Sequence, residues 1–146
     1  MTESSRPARV LVVSHGTAFT PDLVAAVRER ALRSPARFRL VVPNPARGEV
    51  HLLHPERHDK AEEAERDLLR ALPALEAAAG GHVIASVSVR NNPMDAIEEI
   101  LFGEPVDELI LALARHPVAE RLHQDLAHRL RHYGLPITTV GETTTS

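Results

Sequence analysis

The chain has no cysteine and no tryptophan, and only one tyrosine and three phenylalanines. The first absence removes disulfides, thiolate metal sites and a cysteine nucleophile, and it suits a reducing compartment. The shortage of aromatics leaves no material for base-stacking platforms, so the core has to be built from Leu, Val, Ile and Ala. No apolar run approaches the roughly 20 residues that cross a bilayer, and Met1–Arg9 lacks the apolar centre of a signal peptide. A cytoplasmic protein with no membrane partner is expected. The formal net charge is −3, which gives no basic footprint for nucleic acid. Lys60 is the single lysine among 17 basic residues, a sign of high-GC coding bias more than of chemistry.

The 146 residues suit one domain large enough to fold without a staple. We expect it to occupy residues 9–140, with 1–8 and 141–146 as flexible ends. The rest is organised around Arg9–Thr17. Val10 to Val13 are apolar without a break, as in a strand buried on both faces. Ser14-His15-Gly16-Thr17 then form a polar turn. Thr20-Pro21-Asp22 reads as cap, proline at the first helical position and acid in the first turn. Leu23, Val24, Val27 and Ala31 give that helix its apolar face. A second strand is expected over Phe38–Val42, then a Pro-, Gly- and His-rich loop over Ala46–His58. Asp59 and Glu62 suggest a cap for the next helix, which Pro73 should kink and Gly80-Gly81 should end. A third strand follows at His82–Val89. Asn92-Pro93-Met94-Asp95 repeats the start signal of the first helix, and Gly103 ends the helix that it opens. A fourth strand at Glu108–Ala114, a fourth helix opened by Pro117 and closed by Gly134, and a fifth strand at Ile137–Val140 complete the order. Strict alternation of strand and helix implies right-handed crossovers and a parallel α/β sheet covered on both faces.

Two stretches resemble the universal stress protein family. Val10-Leu11-Val12-Val13-Ser14-His15-Gly16-Thr17 is similar to the family's opening strand and its Asp-Gly-Ser turn. Val106–Val140 is similar to the family's closing half: Asp107-Glu108, Leu109-Ile110-Leu111, an amphipathic helix, then Gly134-Leu135-Pro136-Ile137-Thr138-Thr139-Val140. Asn92-Pro93-Met94-Asp95-Ala96-Ile97 resembles the start of its third helix. The resemblance implies a three-layer α/β/α fold with a five-stranded parallel sheet in the order 3-2-1-4-5, and a homodimer, often paired through the last strand.

Departures from the family carry the functional reading. ATP-binding members place a glycine-rich Gly-x-x-Gly loop after strand four, where backbone N–H groups close on phosphates. Here that strand runs through Leu113-Ala114-Arg115-His116-Pro117, and no glycine lies between Gly103 and Gly134. The family's acidic residue after strand one is His15. ATP is therefore disfavoured as a cofactor, no other cofactor is implied, and a non-enzymatic binding or regulatory module is expected. Its candidate crevice is Ser14, His15, Gly16, Thr17, Arg115 and His116. Arg115 could pair with a small anion beside the fourth helix's N-terminus. The plainer alternatives are a simple strand-to-helix turn and an arginine lying over the sheet edge.

Other readings compete. A nucleotide-binding stress protein with an atypical site keeps the family's ligand. Ser14-His15-Gly16-Thr17 also resembles the Gly-His-Gly-Ser turn of small tetrapyrrole chelatases, in which His15 would hold the metal and His116 is the sole candidate for a second ligand. A phosphate-handling hydrolase finds neither metal carboxylates nor a phosphate loop. His128 and His132, four apart, could chelate a metal; with no third ligand in view they read as solvated, and no metal site is assigned. His51, His54 and His58 lie in the irregular stretch. Ser86 and Ser88, on an edge strand, are expected to face water, and the acid-rich run Asp59–Asp67 to be a solvated helix face.

Overall fold

In the computed structural model, residues 6–15, 21–43, 56–90, 92–113, 126 and 128–140 are described. The elements are β1 (Ala8–His15), α1 (Pro21–Arg33), β2 (Ala36–Val42), α2 (Glu56–Ala79), β3 (Val83–Val87), α3 (Pro93–Gly103), β4 (Glu108–Leu113) and β5 (Ile137–Val140). All four strand pairings are parallel. The sheet runs β3-β2-β1-β4-β5, the three-layer α/β/α arrangement and strand order expected.

β1 is central because its side chains serve two cores. Val10 and Val12 point into one, with Phe38, Leu40 and Ile110 of the neighbouring strands, Leu23 and Val27 of α1, and Leu68, Leu75 and Ala78 of α2. Leu11 and Val13 point into the other, with Val41, Leu109 and Leu111, Met94, Ile97 and Ile100 of α3, and Leu126 and Leu130. This is the period-2 alternation of a strand sandwiched between helical layers. Each fully buried Leu or Val contributes about 1.5–3 kcal/mol relative to exposure.

Local signals explain most boundaries. The Asn92 side-chain oxygen accepts from the amides of Met94 (2.8 Å) and Asp95 (3.4 Å), with Pro93 opening α3. Gly80 (φ +75°) and Gly134 (φ +69°) take the left-handed conformation that ends a helix without a Cβ penalty. Before Gly134, Arg131–Tyr133 tightens into a 3-10 turn. Residues 126 and 128–130 are helical, in keeping with the fourth helix; Pro117 and Leu122 lie outside the described residues.

Several expectations need correction. β1 begins at Ala8 and continues to His15, because β4 on one side pairs with it as far as the His15–Leu113 register. α2 begins at Glu56, so His58 is helical and Asp59 is a first-turn acid, not a cap. Pro55 just ahead of it is the better start signal. Pro73 lies inside the helix at an exposed position, and the helix ends at Ala79 ahead of Gly80, as expected. β3 is shorter than expected, although the Ser88 amide still donates to the Val42 carbonyl (2.8 Å). Ser88 does not face water and Ser86 does so only in part: Ser88 is 7% exposed and Ser86 half-buried. Glu62, Glu63 and Glu65 are exposed as expected.

Candidate functional site

From β1 the chain passes through α1 to β2, on one side of it. β4, on its other side, is reached from β3 through α3. α1 and α3 contribute to different cores and so cover opposite faces. The connections thus part at the C-terminal ends of β1 and β4, the topological switch point where open α/β sheets form a ligand crevice. Ser14 is paired in register with Ala112 and His15 with Leu113 at this point. Ser14 is 2% exposed and is engaged within the fold. His15 is the last residue of β1. Gly16, Thr17, Arg115 and His116 lie outside the described residues, as do His51 and His54.

The opposite, N-terminal end of the sheet is closed by charge. Arg30, 6% exposed, donates from Nε to Glu108 Oε2 (2.8 Å) and from Nη1 to Ser34 Oγ (3.0 Å) and its carbonyl (3.3 Å). The Arg9 amide donates to Asp107 Oδ2 (2.8 Å), and the Asp107 amide returns a bond to the Arg9 carbonyl (2.8 Å). Composition does not reveal these pairs, but Arg30 stands three residues after Val27 and seven after Leu23. An arginine on the apolar stripe of an amphipathic helix is a readable signal.

A second polar network lies beside β3, at the edge of the sheet. Arg39 Nη1 donates to Ser86 Oγ (3.0 Å) and to the Leu40 carbonyl (2.8 Å), while its Nε reaches Glu104 (3.4 Å). Ser88 Oγ accepts from the Arg90 amide (2.9 Å) and donates to Glu99 (3.5 Å). These bonds pull both serines out of solvent. The groups satisfy one another, so the network reads as structural. Near the end of the chain, the Tyr133 hydroxyl donates to Glu98 (2.7 Å); that bond, with burial and the Glu98 charge behind it, holds the phenol above its ordinary range.

Among the described residues, no group of three or more His, Cys, Asp or Glu could hold a metal ion, and no helix is long and apolar enough to cross a membrane.

No protein-family model matches the chain, and no curated protein does. Solved structures do. A universal stress protein from Archaeoglobus fulgidus superposes with a TM-score of 0.62 over 91% of this chain and 93% of its own, at 14% identity. The fold is that of the universal stress proteins. The crystal structure of hypothetical protein PH0823 gives a TM-score of 0.57 over 93% and 97% of the two chains, at 20% identity. At these identities the likeness is one of fold. The shared strand order puts the switch point between β1 and β4, where Ser14 and His15 end β1.

Proposed function

We propose that this chain is a non-enzymatic binding or regulatory module of universal-stress type whose crevice does not hold ATP through a glycine loop. The carrying observation is that β4 passes into a segment without a single glycine before Gly134. Side chains with a Cβ cannot let successive backbone amides close on a polyphosphate as glycines can. What remains is a small polar crevice. On this reading Ser14, His15, Gly16 and Thr17 meet Arg115 and His116 there, and the ligand is a small anion paired with the Arg115 guanidinium. The chain acts as a cytoplasmic homodimer. β5 supports that reading, because it is an edge strand with Thr138 and Thr139 exposed and an unpaired side to offer.

Thermal unfolding with and without Mg-ATP tests the reading. A ligand at about a hundred times its Kd adds about 2.7 kcal/mol, a shift of several degrees for a domain of this size. We expect no shift. A rise in Tm that saturates with ATP would overturn the proposal.

A further inference from the structure

The outward side of the last helical turns carries two imidazoles that nothing in the universal-stress reading uses. His128 lies in the α-helical turn and His132, four residues on, in the 3-10 turn Arg131–Tyr133. Leu126 and Leu130, both with 0% exposure, turn the opposite face into the core and fix the roll of the helix. His128 and His132 are both exposed. Their ring centroids are 6.1 Å apart, edge to face, with planes at 80°.

Neither ring makes a hydrogen bond or ion pair with another described residue. Tyr133, the next ring along, is committed to Glu98 at 2.7 Å. The backbone beneath the pair is anchored on both sides, by the buried leucines and by Gly134, whose amide donates to the Arg131 carbonyl at 3.0 Å. Two donors held on a fixed backbone lose less freedom on capturing a ligand than two donors on a loop.

We propose that His128 and His132 form a bidentate site for a divalent transition cation of the Cu2+, Ni2+ and Zn2+ class. Imidazole nitrogen suits these ions, with bonds of about 2.0–2.1 Å for zinc, and rotation about the side-chain torsions brings the two nitrogens to one cation. Ca2+ and Mg2+, which take oxygen ligands, are not ligands of this site. The protein supplies two donors and water completes the shell, so the site is open and its affinity moderate. Exposed Arg129 and Arg131 flank the pair and weaken cation binding, an effect that salt screens.

The test is a calorimetric titration of Ni2+ into the full chain, His128→Ala, His132→Ala and the double variant. Alanine at an exposed helical position is well tolerated, so all four proteins should melt together without metal. The chelate predicts one Ni2+ equivalent in the unaltered chain whose affinity falls at least about tenfold in either single variant, since the second donor acts at high effective concentration. Each single variant should then match the double. If the tightest equivalent survives in the single variants, other histidines carry it and the proposal fails. It fails equally if the unaltered chain binds Ni2+ no more tightly than the double variant.

Discussion

The two ends of the sheet are built differently. At the N-terminal end, Arg30 and Glu108 meet at 2.8 Å almost out of solvent, and Arg9 and Asp107 exchange two bonds. These groups spend their polarity on one another and tie α1 and β4 to the strand ends. At the C-terminal end, β1 finishes in Ser14 and His15 opposite Ala112 and Leu113, where the connections diverge. Charge consumed internally is a stability device. Polar residues at a switch point mark the place where open α/β sheets take their ligands. The contrast marks the first end as structural and leaves the second as the candidate binding end.

Arg30→Ala should break that contrast most severely. It leaves the largely buried Glu108 with only Arg33, at 3.9 Å, and is expected to cost about 3 kcal/mol, read as a lower denaturation midpoint at unchanged slope. Asn92→Ala removes the side-chain acceptor of α3's cap and should cost about 1 kcal/mol, measured in the same way. His15→Ala, at the candidate binding end, should cost less than Asn92→Ala in the same measurement. A loss as large as that of Arg30→Ala would erase the division of labour. Tyr133→Phe should show the smallest effect, best seen as a pH slope. The Tyr133 pKa is raised in the fold, so its contribution is complete below the ordinary phenol value and fades as pH climbs through the raised one. The Phe variant should lack that alkaline slope in thermal melts.

Much of the architecture was legible along the chain because its signals are local. The Val10–Val13 run marked the central strand, Asn92-Pro93 the start of α3, and Gly134 the end of the last helical turn. Strand order came from the family resemblance, since periodicity carries no information about which strands adjoin. What escaped was non-local. Ser88 read as a water-facing residue because Glu99, eleven positions away, and Arg90 fold over it only once α3 docks. The partner of Arg30 is 78 positions distant, though its place on an apolar stripe announced that it needed one. The start of α2 was misplaced because Asp59 offered a cap signal inside a helix that already begins at Glu56. Of the candidate crevice, the strand terminus Ser14-His15 is placed at the switch point, and Gly16, Thr17, Arg115 and His116 lie outside the described residues.

The segment between Gly103 and Gly134 contains no glycine to let backbone amides close on a triphosphate. Isothermal titration of Mg-ATP into the purified full chain tests it most directly. The account predicts no heat of binding in the micromolar range; a stoichiometric isotherm with a micromolar Kd would contradict it.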